Sequence, residues 1–250
     1  TPEASANPTP ETSGRRDVQV LPIASDTTAL RSRSWERLRF EIEYALEKGT
    51  TANSYLIRGN QIALIDPPGA SFTEKFLEAL KTEVATHDIA YVILGHITPN
   101  RIKTLTALLT LAPQATIVCS LPAAIALKNA EIDHPVQPVK GGSDLDLGQG
   151  HHLEFIPTPT PRWPAGMCTY DSYTEVLYSD KFFGAHICGE DAYDLEREKL
   201  LEDQQYYFDC LMAPNARQVE TALEKLSDYA PRLYAVGQGP LVRYGVVELT

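Results

Sequence analysis

Residues Tyr91 to Thr106, YVILGHITPNRIKTLT, constrain the fold of this chain more than any other stretch. Four residues of strand character, Tyr91, Val92, Ile93 and Leu94, run into Gly95 and His96, and after a polar turn Pro99 opens a helix carrying Ile102, Leu105 and Leu109 on one face. The alternation continues with a helix from about Arg101 to Leu111, a strand ATIVCS, a short helix LPAAIALKNA and a short strand around Val136 to Val139. Strands and helices that alternate in this way predict an α/β layer.

The flanks extend the frame. VQVLPIA is strand-like, and WERLRFEIEYAL sets Arg37, Arg39, Glu41 and Glu43 against Leu38, Phe40, Ile42 and Tyr44, a period of two that predicts one strand solvated on one face. In SYLIRGNQIALID, Gly59-Asn60 between two apolar runs signals a hairpin. Ser71 and Glu74 have capping-box spacing ahead of a helical face of Phe76, Leu77, Leu80 and Val84. Beyond a Gly-Gly-Ser turn at 141–143 come the strands HHLEFIPTP and EVLYS, the loop DKFFGAH, the helical stretches DLEREKLLEDQQYYFDCLM and ARQVETALEKL, and a last run RLYAV before GQGPLVRYG. Sheets first and last, with helices between and after, predict two sheets covered outside by helices. Thr1 to Arg16, with three prolines and no aromatic or large aliphatic residue, is expected to be a disordered tail ahead of one domain over 17–250.

The formal charge of −11 lacks the basic excess that nucleic acid or an anionic membrane would call for, and no apolar run approaches the roughly 20 residues of a membrane span. Cys119 sits in an apolar run and reads as a reduced, buried thiol. Cys188 follows His186 by two, but no further His or Cys stands at zinc-site spacing, and His186 reads as structural. His96 on its own reads as a strand-end histidine bonded to nearby backbone. His151 and His152 open a strand and are expected to be solvated.

The segments GTTANSYLI, LIDPPG, YVILGHITPN, LAPQATIVCS, LEFIPTPTPRWP, LYSDKFFGAH and GQGPLVRYG, in this order, resemble the core domain of flavodiiron proteins, above all the photosynthetic group of cyanobacteria and plastids. The resemblance covers about Val18 to Thr250. It implies a metallo-β-lactamase-like αββα sandwich that in the family carries two irons, followed by a flavodoxin domain with FMN and, in photosynthetic members, a flavin-reductase domain. The family reduces dioxygen to water or, in some members, nitric oxide. The chain ends where the family continues toward the flavodoxin domain, so a longer protein is expected. No Ser/Thr/Gly-rich phosphate loop follows a strand here, so this domain by itself is expected to bind no flavin.

The family's HxExDH ligand motif falls on His96, Thr98, Asn100 and Arg101. The histidine before Trp-Pro falls on Arg162, the bridging aspartate on Lys181 and the last histidine on Gln238. Only His96 survives. Guanidinium and ammonium groups have no lone pair for a metal and repel a cation, so these degenerate positions are expected to hold no di-iron pair. Arg101, Arg162 and Lys181 are expected instead to form an anion pocket, for chloride or for a carboxylate such as Asp180. Trp163 reads either as core packing or as surface facing the flavin of a partner.

The resemblance implies a subunit in NAD(P)H-dependent oxygen reduction, a photosynthetic electron outlet, whose activity depends on a homologous partner with intact iron ligands in a head-to-tail dimer or heterodimer. A non-catalytic assembly or regulatory module is the alternative, and a hydrolase of the metallo-β-lactamase superfamily is the weakest reading. The chloroplast stroma is the expected location, since it suits a cleaved polar N-terminus; a cyanobacterial cytoplasm, which suits an arbitrary cut, is the alternative.

Overall fold

A computed structural model describes residues 15–36, 39–41, 44–45 and 48–246. Its strands and helices are, in order, β1 (Arg16–Ala24), β2 (Thr27–Ser34), β3 (Arg39–Glu41), β4 (Tyr44–Ala45), β5 (Thr50–Arg58), β6 (Ile62–Ile65), α1 (Thr73–Glu83), β7 (Ile89–Ile93), α2 (Pro99–Leu111), β8 (Thr116–Ser120), α3 (Leu121–Asn129), β9 (Val136–Val139), β10 (Asp144–Gly148), β11 (His151–Pro157), β12 (Met167–Asp171), β13 (Val176–Asp180), α4 (Arg197–Leu211), α5 (Ala216–Leu226) and β14 (Leu233–Val236). Seven strands form one sheet in the order β1-β2-β5-β6-β7-β8-β9, and five form the other in the order β10-β11-β12-β13-β14. The first sheet is antiparallel from β1 to β6 and parallel from β6 to β9; in the second, β13 and β14 run parallel.

The layering follows from the two-residue period of the strands. On β5, Tyr55 and Ile57 face the core between the sheets while Leu56 faces the helices. On β13, Val176 and Tyr178 face inward and Leu177 outward. Phe76 and Leu80 of α1, Leu105, Leu108 and Leu109 of α2, and Ala123 and Leu127 of α3 cover the outer face of the first sheet. Tyr207 and Leu211 of α4 with Val219, Ala222 and Leu226 of α5 cover the second. Each fully buried aliphatic side chain contributes about 1.5–3 kcal/mol of transfer free energy, and the three clusters close an αββα sandwich. No helix of the described residues is long and apolar enough to cross a membrane.

Local expectations fare unevenly. The hairpin at Gly59-Asn60 joins β5 to β6, and a Cβ on Gly59 would fall 2.4 Å from the Leu147 carbonyl oxygen. The capping box does not form: a short 3-10 turn over Ala70–Phe72 precedes α1, whose N-cap is Phe72 with no side-chain cap bond. Thr73 instead bonds Ala70 and, at 2.7 Å, the hydroxyl of Thr104 on α2, a tie across helices that sequence spacing does not reveal. Within the stretch WERLRFEIEYAL, where a single strand is expected, the described residues hold the two-stranded pair β3–β4, and positions 37–38, 42–43 and 46 lie outside the described residues. The tail boundary also moves. Arg16 opens β1 and pairs with Glu36 at 2.7 Å, and Arg15 lies over the Trp35 ring; residues 1–14 are outside the described residues. Cys119 is buried in the outer cluster as read, and burial pushes its thiol up to about 12.

His151 is a correction. It is fully buried, with Nδ1 2.7 Å from Asp171 on β12 and Nε2 3.1 Å from Asp26 in the β1–β2 turn, its ring edge-on to Tyr173. His151, Leu153 and Phe155 share the inward face of β11. The imidazole thus ties the second sheet to the edge hairpin of the first. Replacing His151 by Phe removes the imidazole from the buried Asp171 carboxylate, which keeps only its bonds from Tyr173 and Thr174, and the expected cost is about 1–3 kcal/mol, read as a drop in the denaturation midpoint at unchanged m-value.

Candidate functional site

Four strand ends meet at one edge of the sandwich. β6 runs into Asp66, β7 into Leu94, Gly95 and His96, β13 ends at Asp180 before Lys181, and β14 is followed by Gly237, Gln238 and Gly239. Asp66 and Asp180 both adopt positive φ, 56° and 49°, which turns each chain sharply as it leaves its sheet. Strand C-termini are where open α/β sheets hold ligands. His96 Nδ1 lies 2.7 Å from Asp180 Oδ2, a buried contact that joins the first sheet to the second. Asp66 Oδ1 accepts from the Gly95 amide at 2.7 Å and from Arg101 Nη1 at 3.0 Å, and the same Arg101 nitrogen donates to the His96 carbonyl at 3.2 Å. A Cβ on Gly95 would stand 2.8 Å from Asp180 Cβ and 3.0 Å from its Oδ2, so a side chain here collides with the carboxylate.

Beside this network lies a cavity of about 500 Å³. Six of the seven ligand-equivalent positions line it, namely His96, Thr98, Asn100, Arg101, Lys181 and Gln238, together with Trp163 and Asp180; the ion pair Arg16–Glu36 stands on its wall. Arg162 is the seventh, and it is not among the lining residues. Its guanidinium carbon sits 5.4 Å from the centroid of the Trp163 ring, against which Lys181 Nζ also rests at 4.8 Å. The expected triad of cations is therefore two in the cavity, Arg101 and Lys181, with the third held through Trp163. Trp163 itself is buried in the outer cluster of the second sheet, so packing is its main role within this chain.

The charges settle around Asp180. Burial alone would raise its carboxyl, but His96 and then the Arg101 and Lys181 charges pull it below its usual range, so it is an anion. As an anion it only accepts, so His96 Nδ1 carries the proton of that bond. Burial, then the charge of Arg101, pushes the His96 imidazole below its ordinary range, against the pull of Asp180. Burial and the charge of Asp180 push Asp66 the other way, upward. Burial lowers Lys181 to about 8 against the pull of Asp180. His186 bonds the Thr50 hydroxyl through Nδ1 at 2.8 Å, packs on Tyr207, and is lowered to about 3 by burial and Lys181. Tyr207 donates to Gln238 Oε1 at 2.9 Å, which leaves the Gln238 amide nitrogen as the end free to serve the cavity.

These residues do not fit a di-iron pair. The six ligand-equivalent positions that line the cavity present one imidazole, two amides, a hydroxyl, a guanidinium and an ammonium, and among the described residues no group of three His, Cys, Asp or Glu could hold a metal ion. Asp66 and Asp180 are engaged with Gly95, Arg101 and His96, and the fixed positive charge of Arg101 and Lys181 opposes a cation. Sequence reading missed Asp66, although it closes the strand in LIDPPG. It counted Asp180 as a partner for the cations, whereas the nearest partner of Asp180 is His96. The bond of the His96 ring goes to a carboxylate from the opposite sheet rather than to nearby backbone.

Comparison with known proteins follows this geometry. A family model described as ODP family beta lactamase matches residues 50–236. A Nostoc sp. PCC 7120 protein that bears the name diflavin flavoprotein A 6 is 62% identical over 237 residues, which is 94% of this chain and 42% of the relative. The chain thus spans less than half the length of the curated relatives it matches. The metal-soaked Flv1 flavodiiron core from Synechocystis sp. PCC6803 superposes with a TM-score of 0.90 at 55% identity, over 94% of this chain and 60% of that one. The rubredoxin oxygen:oxidoreductase of Desulfovibrio gigas, at 23% identity and a TM-score of 0.86 over 92% of this chain and 60% of its own, shares the fold.

Two outcomes are expected from the site's electrostatics. Gly95→Ala forces Asp180 off His96 and is expected to lower stability by about 1–3 kcal/mol, the cost of a buried polar group left without its partner, measurable by chemical denaturation. The His186 pKa lies below the ordinary value of 6.5 when folded, so the unfolded chain binds a proton that the folded chain does not, and stability falls as pH drops from 6.5 toward 3. His186→Gln removes this part of the slope, up to about 1.4 kcal/mol per pH unit, in a denaturation series between pH 7 and 4.5.

Proposed function

We propose, from the premise that this chain belongs to the ODP β-lactamase family and is the core domain of a flavodiiron protein, that it serves NAD(P)H-dependent reduction of dioxygen to water without an iron pair of its own. The observation that carries this is the placement of Arg101 and Lys181 in the cavity where the family keeps iron ligands, beside a buried Asp180–His96 pair. Two fixed cations take over the charge that a metal pair would bring, and a small anion such as chloride completes the balance. Arg101, Lys181 and, through Trp163, Arg162 form the cationic side of this pocket.

Oxygen chemistry then belongs to a homologous subunit with intact iron ligands, paired head-to-tail or as a heterodimer, while FMN and NAD(P)H are bound by parts of the protein beyond this domain. Cyanobacterial relatives at 56–62% identity favour a cyanobacterial cytoplasm over a chloroplast stroma. A non-catalytic assembly module is the competing reading, and it differs in one measurable respect: the full-length protein would then add nothing to a partner's oxygen consumption beyond complex formation.

Protein produced with excess iron is expected to contain less than a tenth of an iron per chain by plasma emission analysis. Full-length protein is expected to consume oxygen with NAD(P)H only when mixed with a subunit that keeps all its ligands. Two irons per chain, or oxygen consumption by this protein alone, would defeat the proposal.

A further inference from the structure

The turn that leaves β13 carries the ammonium group of the cavity on a strained backbone. Asp180 and Phe183 both have positive φ, 49° and 66°, and they bracket Lys181 and Phe182. Left-handed backbone is free for glycine and costly for a large aromatic residue, so at Phe183 it persists only because the surroundings hold it. Two contacts do so. The ring meets Tyr234 of β14 edge-on, with centroids 4.7 Å apart, and the carbonyl accepts from Gln204 Nε2 of α4 at 3.3 Å. The ring is only partly buried, on the wall of an outer groove that α5 and Tyr234 also line. The other side of the turn is the site. Between Asp180 and Ala185 the chain sets Asp180 against His96, Lys181 in the cavity beside the Trp163 ring, the Phe182 ring in the outer cluster, and the Ala185 amide on the Gln238 carbonyl at 3.1 Å. A Cβ on Gly184 would lie 3.0 Å from that same carbonyl oxygen. A chain that enters the cavity at Lys181 and is back on Gln238 by Ala185 has to reverse between them, and the left-handed residue at 183 makes the reversal.

We propose that Phe183 is the positioning residue of Lys181: its ring, braced on Tyr234, holds the left-handed turn that keeps the ammonium group in the cavity. The proposal rests on the reading above that Lys181 supplies part of the cavity's positive charge, and it adds what holds that charge in place. Without the brace the backbone at 183 returns to negative φ, and Lys181 swings off Trp163 toward solvent. The signature is an inverted order of substitutions. Phe183→Gly loses the ring and the strain together, so the turn stays. Phe183→Ala loses the ring and keeps the strain, so the turn opens. Phe183→Tyr keeps both the ring and the turn. A residue that only packed would give the opposite ranking, Ala above Gly, because glycine adds freedom to the unfolded chain.

The test is mass-spectrometric footprinting of Lys181 with an amine-acylating reagent on the 250-residue chain, with calorimetric titration of chloride as a second readout. Acylation of Lys181 in Phe183→Ala is expected to run at least about tenfold faster than in the unaltered chain, the scale of one strained backbone conformation, with the Gly and Tyr variants within about threefold of the unaltered rate. Chloride is expected to bind Phe183→Ala most weakly of the four proteins. Equal acylation rates in Phe183→Ala and the unaltered chain overturn the inference, and so does a Gly variant that reacts as fast as the Ala variant. Failure of chloride to bind the unaltered chain counts against the anion pocket alone, because the acylation order is read without chloride. Should Phe183→Ala not fold, Gln204→Ala removes the other brace from the α4 side: faster acylation of Lys181 supports the inference, and an unchanged rate overturns it.

Discussion

The contact between His96 and Asp180 is the constraint around which this molecule is arranged. It joins the end of a central strand in one sheet to the end of a central strand in the other, at 2.7 Å and out of solvent. A buried carboxylate without a partner is costly, so everything near this bond exists to satisfy or admit it. Gly95 has no side chain because the Asp180 carboxylate occupies the space a Cβ would need, and Gly237 has none because a Cβ there would fall 2.6 Å from the Asp180 carbonyl oxygen. The left-handed turn at Asp180 brings its side chain back toward the first sheet, while Asp66, in a matching turn, holds the Gly95 amide and Arg101 in place.

On this frame the exchange of metal ligands for cations becomes physically coherent. Removing a metal pair from a buried pocket leaves acidic groups without compensation, and a cationic side chain supplies the missing charge from within the chain. Arg101 does so through a short bond to Asp66, and Lys181 does so from the residue next to Asp180, braced by the ring of Trp163. The cost is visible in the lowered pKa of Lys181, which burial depresses even with an anion adjacent. The strand ends frame a cavity of about 500 Å³ that Arg101, Lys181 and His96 line.

The same logic of paired charge recurs away from the site. His151 between Asp171 and Asp26 spans the two sheets at another edge, and Arg33 on β2 is bound bidentately by Asp17 on β1 at 2.7 and 2.9 Å. The hydrophobic layers set the distance between the sheets, and the His96 and His151 ties across them set their lateral position, while Arg33 and Asp17 clamp β2 to β1 within one sheet, because a directional bond specifies geometry that apolar contact leaves loose.

The αββα class, the hairpin at Gly59-Asn60 and the helices α2, α4 and α5 were all legible in the sequence. Each rests on residue type or on a short periodic pattern. The role of Asp66, the burial of His151, the stacking of Arg162 on Trp163 and the contact of His96 with Asp180 were not legible. Each depends on which groups the tertiary fold brings together, and periodicity carries no information about that. Sequence by itself determined the layers and the chemical groups available at the strand ends; tertiary structure alone decided which groups neutralise one another, because burial and partner distance, not residue identity, set which charges meet.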